Sequence, residues 1–181
     1  MSAGRRLAAA LLACALVASH AAATTITLVN LVAPGEGVND PSFRAPVGGN
    51  AGTTLGQQRL NVFQFALDTW ESLIDSGVEI SVGAQFAPLA CNSMSALLGS
   101  AGPETVFRDF AGAPIANTWF PVALANSPAG VDLDPGGDDI GASFSSAVDE
   151  GCLSGVAGWY YGLDGNTPPN QMVLLANVLH K

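Results

Sequence analysis

Hydrophobic residues recur at alternating steps of three and four between Leu60 and Ile74. The apolar positions are Leu60, Phe63, Leu67, Trp70 and Ile74, and the opposite side carries Arg59, Gln64, Asp68, Glu71 and Asp75. This spacing predicts an amphipathic helix with its apolar side towards the core. Thr54 and Gln57 fit a capping box at its start, and Gly77 is the expected C-terminal stop.

Runs rich in β-formers flank this helix and predict strands. Residues 25–32 form a β-branched run, and residues 78–86 alternate apolar with polar or small positions. Shorter strands are expected over 106–110 and 139–144, and a helical turn over 94–98. Residues 118–126 fit either helix or strand, because Pro121 interrupts them. A strand, a long helix and a second strand open a sheet domain of the α/β or α+β kind.

The last twelve residues are almost entirely apolar. Two prolines at 168 and 169 predict a helix start just after them. The following apolar residues cover nearly the whole circumference of a helix, which predicts burial on all sides. The first ionisable residue is His180, and the sequence then ends at Lys181. Because a buried helix normally ends in a Gly or Asn cap and polar residues, we expect a missing part after Lys181.

Residues 1–23 have the three-part pattern of a secretory signal peptide. A basic pair at positions 5 and 6 precedes an apolar run over 7–18, and three alanines stand before Thr24. The run is too short for a membrane-spanning helix. We therefore expect cleavage after Ala23 and an exported protein without a membrane attachment. A weak lipoprotein-processing pattern at 11–14 is disfavoured, because the apolar run continues past Cys14.

Removal of the predicted signal peptide leaves an acidic chain. Taking 23 residues from 181 leaves 158, which suits one domain, 24–181, with a hydrophobic core. Taking Arg5 and Arg6 from the six basic residues leaves four against 15 acidic ones, a net charge of −11. Such a surface repels phosphate backbones and anionic lipid, so nucleic acid and a membrane surface are poor partners.

Two cysteines, Cys91 and Cys152, remain once Cys14 is removed. An even pair in an exported protein predicts a disulfide, and two buried free thiols are the alternative. Two distant cysteines with a single histidine make a poor metal site.

The segment Asp75-Ser76-Gly77 has the letters of an aspartic-protease triplet. That chemistry needs two carboxylates that share a proton, each on a loop between strands. Here one copy stands at the end of a predicted helix, where the glycine already serves as a stop. We therefore favour a structural turn.

Four carboxylates, those of Asp132, Asp134, Asp138 and Asp139, stand on a loop rich in Gly and Pro. Carboxylate oxygens are the ligands that Ca²⁺ prefers, so calcium is a candidate cofactor. The order differs from an EF-hand, because the twelfth position counted from Asp132 is Ser143 rather than Glu. A solvated acidic loop is the alternative that we favour.

His180 is the one histidine outside the predicted signal peptide, since His20 lies within it. A zinc site with two or three histidines is therefore impossible within these residues. Catalysis by a serine or cysteine nucleophile needs a histidine base, and His180 is the single candidate for that base. His180 is either a packed or terminal residue, as a lone histidine on an apolar helix usually is, or a metal ligand.

The order of these elements resembles that of the zincin metallopeptidases. The order is a strand, a helix containing Trp70, an alternating strand, a later Asp-Ile strand and an apolar helix that reaches a histidine. The chain looks closer still to a group of secreted bacterial metallopeptidases that often carry a protease-associated domain. The stretches that resemble this group are APVGGN (45–50), GTTLGQQR (52–59), FQFA (63–66), LGSAG (98–102), VALAN (122–126) and GWYYGLDGN (158–166).

This resemblance implies an α+β fold: a zincin-like N-terminal subdomain with a twisted mixed sheet, a long amphipathic helix and a buried C-terminal helix. In that group the last helix carries His-Glu-x-x-His, in which two imidazoles bind Zn²⁺ and the glutamate is the general base. By position, His180 would be the first zinc ligand, and Lys181 stands where the family has its glutamate. The remaining ligands would lie beyond Lys181.

The resemblance therefore implies a secreted zinc-metallopeptidase-like protein, truncated or degenerate, that lacks proteolytic activity as the 181-residue chain. A protonated ammonium cannot act as a general base, and it opposes the zinc ion electrostatically. No catalytic residue is assigned, and zinc is implied by the resemblance alone. A protein or peptide substrate is expected only for an active full-length form. The alternative is an exported, acidic, non-catalytic binding or surface protein.

Overall fold

A computed structural model describes residues 24–181, and the predicted signal peptide lies outside them. The helices in this range are α1 (Leu55–Glu71), α2 (Val122–Ala129) and α3 (Leu174–His180), with a 3-10 helix over Gly37–Asn39. The strands are β1 (Ile26–Asn30), β2 (Ile80–Ala87), β3 (Gly99–Pro103), β4 (Val106–Arg108), β5 (Trp119–Pro121), β6 (Ile140–Ser145), β7 (Trp159–Tyr160) and β8 (Met172–Val173). No helix within 24–181 is long and apolar enough to cross a membrane.

The main sheet is mixed, with four strands in the order β1-β2-β6-β3. β1, β2 and β6 run parallel, and the edge strand β3 runs antiparallel to β6. The other strands form two small two-stranded sheets, β4 with β5 and β7 with β8. The predicted α+β class and the mixed sheet are therefore confirmed.

Helix α1 packs on one face of this sheet. Alternation along the strands places Phe86 of β2 and Phe144 of β6 on that face. Phe63 of α1 meets both rings edge to face, with centroid distances of 5.9 Å and 5.2 Å. Such aromatic contacts add to the free energy gained from removing apolar surface from water, so they anchor α1 over the sheet.

The predicted start of α1 is confirmed and its predicted end is wrong. Burial of Phe63 and Leu67 is as predicted, but Arg59 and Trp70 were assigned to the wrong sides. The helix ends at Glu71 rather than at Gly77. Trp70, expected on the core side, is 41% exposed, whereas Arg59, expected on the solvent side, is 3% exposed. The reason is that the loop before α1 and the segment before α3 cover the polar side of the helix and supply partners for Arg59.

The N-terminal cap of α1 should contribute measurably to stability. Thr54 Oγ1 accepts a hydrogen bond from the backbone N–H of Gln57 at 3.1 Å. Thr54→Ala should therefore lower the free energy of unfolding by about 1 kcal/mol in urea denaturation. Thr69→Ala is the matched control, because that hydroxyl only donates to the Phe65 carbonyl inside the helix. The cap would have no role if the two variants unfolded at the same urea concentration.

The last helix differs from its prediction. After Pro169 the chain makes a turn and then β8, which pairs with β7, so α3 begins only at Leu174. Leu174 is fully buried, but Val178 and Leu179 are only partly buried and His180 is exposed. The expectation of a helix buried on all sides is therefore wrong. The cause is that α3 packs against α1 on one side and borders an open groove at its end.

Two linking segments bear on the predictions. One contradicts its prediction, and the other contains both predicted alternatives. Residues 94–98 are not helical, and Ala96 instead makes an isolated β-bridge with Cys91. Residues 118–126 contain both predicted alternatives, because β5 passes directly into α2 at Val122. The proline at 121 ends the strand and precedes the first helical turn, where a missing N–H costs nothing.

The predicted disulfide is confirmed. Cys91 and Cys152 are bonded, with their Cα atoms 5.9 Å apart and 61 residues of separation. The bond joins the segment after β2 to the turns after β6. It therefore fastens two long connections to each other at one end of the sheet.

Candidate functional site

An apolar groove lies on the α1 side of the sheet. It has a volume of about 650 Å³ and is bounded by β2, β6, α1, α2 and the end of α3. Val82 and Ile140 form part of its floor, and Trp70 and Leu124 stand on its two walls. Trp70 and Leu124 are partly exposed at the rim.

His180 lies at the end of this groove. It lines the groove together with Lys181, the residue that follows α3, and Asp75 lies on the same lining. The His180 imidazole is exposed, so an ion could reach it. Within residues 24–181, however, no three His, Cys, Asp or Glu side chains come together in a way that could hold a metal ion. Residues 24–181 therefore offer one accessible imidazole and no complete zinc site.

The Asp75-Ser76-Gly77 segment forms a turn that closes the space between α1 and β2. The Ser76 N–H donates to Thr24 Oγ1 at 2.8 Å, and its hydroxyl donates to the Val78 carbonyl at 2.7 Å. Ser76 is buried, and Asp75 is exposed. These contacts tie the start of β1 to the turn, which gives the segment a structural role.

The carboxylates of the acidic loop are directed to protein donors. Asp139 is buried, and it accepts from Ser81 N–H at 2.8 Å and from Asn126 Nδ2 at 2.9 Å. Asp132 accepts from the Asp134 N–H at 2.9 Å. Through these bonds Asp139 connects β2 to the end of α2. These hydrogen bonds engage Asp132 and Asp139 with donors of the protein itself, and the calcium site remains an expectation from the sequence.

A buried ion pair that the sequence pattern did not reveal lies on the other side of α1. Arg59 Nη2 lies 2.8 Å from Asp149 Oδ2, Arg59 Nε donates to the Tyr161 hydroxyl at 3.1 Å, and Arg59 Nη1 donates to the Gly37 carbonyl at 3.0 Å. The guanidinium also lies over the Phe86 ring, 4.3 Å from its centroid. One side chain thus connects α1 to three distant segments.

The charges in this network fix its protonation. Burial lowers the pKa of Arg59, but the Tyr161 hydroxyl and the Asp149 carboxylate outweigh burial and raise that pKa above its ordinary value. Burial, and then the negative charge of Asp149, raise the pKa of Tyr161, so its hydroxyl stays protonated. Tyr161 therefore donates a hydrogen bond to Asp149. The network thus contains a cation, an anion and a neutral donor that are hydrogen-bonded to one another. Such pairing offsets the cost of burying these groups, so the network stabilises the fold.

The side chain of Asn50 holds the loop before α1 in place through buried hydrogen bonds. Its side chain is 1% exposed, and its Nδ2 donates to the carbonyls of Gln58 at 2.9 Å and Tyr161 at 2.8 Å. Its Oδ1 accepts from Asn61 Nδ2 at 2.8 Å. Gly48 has a φ of +50°, and a Cβ there would lie 2.2 Å from the Tyr160 hydroxyl. These residues hold the loop before α1 against the segment after β7.

The site residues of this chain therefore separate into two groups. His180 stands alone beside the apolar groove. The residues of the resembling stretches described above, among them Asn50 and Arg59, maintain the fold. No protein-family model, curated protein or solved structure matches the chain.

Proposed function

We propose that this protein is a secreted zinc-metallopeptidase-like protein with a zincin-like subdomain and no proteolytic activity as the 181-residue chain. The observation that carries the proposal is the arrangement of β1, α1, β2, β6 and α3 in one α+β body. The final helix packs on α1 and reaches an exposed histidine at the groove. In this proposal His180 is the first zinc ligand.

The inactivity follows from the ligands and the base that the chain offers. A catalytic zinc ion is held by three protein ligands and keeps a fourth position for water. One imidazole cannot supply that coordination. Lys181 stands where a general base would be needed, and a protonated amine cannot take a proton from a zinc-bound water. A protein or peptide substrate is proposed only for a form with a complete zinc site.

Export is supported by two independent features. The Cys91–Cys152 bond is of the kind that persists in oxidising compartments. Residues 1–23 carry the pattern of a secretory signal peptide. The net charge of −11 that remains after its removal makes nucleic acid a poor partner for the exported protein.

The proposal is tested by zinc titration of the purified protein together with a casein-cleavage assay. We expect no zinc-dependent cleavage, and zinc binding with a dissociation constant on the order of 1 mM, as one imidazole allows. His180→Ala should remove that binding. Asp75→Asn is the matched control, because Asp75 lines the same groove and should leave zinc binding unchanged.

Two results would count against the proposal. Zinc-dependent cleavage of casein would show that the chain is an active enzyme. Zinc binding that persists in His180→Ala would place the metal elsewhere and remove His180 from the proposed ligand position.

A second candidate function is an exported, acidic protein that binds without catalysis. The groove favours this candidate, because its volume of about 650 Å³ lies within the range of ligand-binding clefts. A monodisperse protein that melts cooperatively without zinc would favour this candidate over the first.

A further inference from the structure

A second, smaller cavity lies beside Tyr161. It has a volume of about 290 Å³ between the loop at 44–47 and the β7 segment. Its lining includes Arg44, Gln171 and the aromatic residues Trp159, Tyr160 and Tyr161. The hydrogen bonds of Asn50 hold the two sides of this cavity together. The cavity therefore lies next to a buried, hydrogen-bonded part of the fold.

Arg44 is the cationic residue of this cavity. Its guanidinium lies over the Tyr161 ring, 4.8 Å from the centroid, and its Nη2 donates to the Trp159 carbonyl at 3.4 Å. This long hydrogen bond is the one that its side chain makes with residues 24–181. The other N–H groups of the guanidinium have no protein acceptor in that part of the chain, although Arg44 is half-buried.

This lack of a partner distinguishes Arg44 from the other arginines that the structure describes. Arg59 is paired with Asp149, and Arg108 is paired with Asp109 at 3.2 Å. Neither ion pair among residues 24–181 includes Arg44. Although residues 24–181 contain all 15 acidic residues, Arg44 is a half-buried cation without a carboxylate partner among them.

Two acids lie near this region, Asp149 and Asp164, and both are already engaged. Asp149 is paired with Arg59. The Asp164 carboxylate accepts hydrogen bonds from the Tyr160 hydroxyl at 2.7 Å and from the Asn166 N–H at 3.0 Å. Asp164 does not line the cavity. The positive charge of Arg44 is therefore the dominant charge inside it.

We propose that this cavity binds a small carboxylate with an apolar body. A guanidinium presents a planar fork of N–H donors that matches a carboxylate in two parallel hydrogen bonds. The rings of Trp159, Tyr160 and Tyr161 are buried behind the cavity, so an apolar body would contact the accessible side chains of Ala45, Pro46 and Val47. A volume of about 290 Å³ suits one ring or one side chain rather than a long chain. The site needs neither zinc nor His180, so it stands apart from the proposed function.

Benzoate is the probe, measured by isothermal titration calorimetry with the purified protein. We expect one site with a dissociation constant on the order of 1 mM. Benzamide has the same shape without the charge, and benzylamine reverses the charge. Both should bind at least about 10-fold more weakly than benzoate, because the charged hydrogen bonds are lost. Inorganic phosphate, which has charge without an apolar body, should also bind more weakly.

Arg44→Gln should weaken benzoate binding at least about 10-fold. Arg108→Gln is the matched control, because Arg108 also lies over an aromatic ring, that of Trp119 at 5.0 Å, but already has its carboxylate. It should leave benzoate binding unchanged. Should Arg44→Gln fail to fold, the comparison of benzoate with benzamide on the unaltered protein decides the question.

The proposal would be overturned by any of three results. Benzamide could bind as tightly as benzoate, which would remove the role of charge. Phosphate could bind as tightly as benzoate, which would remove the role of the apolar lining. Arg44→Gln could fold and bind benzoate as the unaltered protein does, which would place the carboxylate elsewhere.

Discussion

Arg59→Met should lower the free energy of unfolding by about 3–5 kcal/mol, because it leaves the Asp149 carboxylate buried without its counter-ion. The side chains of this pair are 4% and 12% exposed, so water cannot replace the guanidinium. The substitution also removes the donor to the Gly37 carbonyl. Equilibrium unfolding in guanidinium chloride measures the loss directly.

Arg108→Met is the control for this first prediction. The Arg108–Asp109 pair is exposed, with 45% of each side chain accessible, and should contribute about 0–1 kcal/mol. A double variant, Arg59→Met with Asp149→Leu, should recover part of the loss, since no charge then remains buried. Recovery should be incomplete, because Asp149 also accepts from the Trp159 N–H at 3.1 Å. Equal midpoints for Arg59→Met and Arg108→Met would contradict the prediction.

Removal of the Cys91–Cys152 bond should cost about 4 kcal/mol, as expected for a loop closed over 61 residues. The bond stabilises the fold chiefly by restricting the unfolded chain, so native contacts need not change. Unfolding of Cys91→Ala/Cys152→Ala should therefore shift to lower denaturant concentration. Reductant should produce a similar shift in the unaltered protein.

The double variant also provides the control for this second prediction. Reductant should leave the stability of Cys91→Ala/Cys152→Ala unchanged, because no disulfide remains to be reduced. A shift of that variant in reductant would mean that reductant acts on something other than this bond. Single domains are typically stable by only about 5–15 kcal/mol, so either predicted loss removes a large fraction of the total.

Elements defined by local pattern were predictable. The cap at Thr54 and the alternation in β2 depend on residues close in sequence. The disulfide was expected from composition alone, because two cysteines remain. The mixed sheet was expected from the order of these elements and from the family resemblance. Local pattern failed at Arg59, because its partners Asp149 and Tyr161 lie 90 and 102 residues away. A helix position that reads as solvent-facing becomes buried when distant loops cover it.

The candidate sites were predictable to different degrees. His180 stands out in the sequence because it is the one histidine outside the predicted signal peptide. Its exposure beside a groove could not be predicted, because the apolar composition of 172–179 indicated burial on all sides. The Arg44 cavity had no sequence signal, since it brings together residues 44–47, 159–161 and 171. Only the folded chain shows that Arg44 lacks the carboxylate that the other described arginines possess.

The parallel pairing of β1, β2 and β6 has a consequence for how the chain acquires its fold. Residues 26–30 pair with 80–84, and residues 82–87 pair with 140–145. Both contacts close loops of more than fifty residues, which is a slow step because the entropy of closure precedes any gain from pairing. During synthesis β2 would emerge with one edge open until β6 follows. The parallel part of the sheet is therefore expected to form after local elements such as α1.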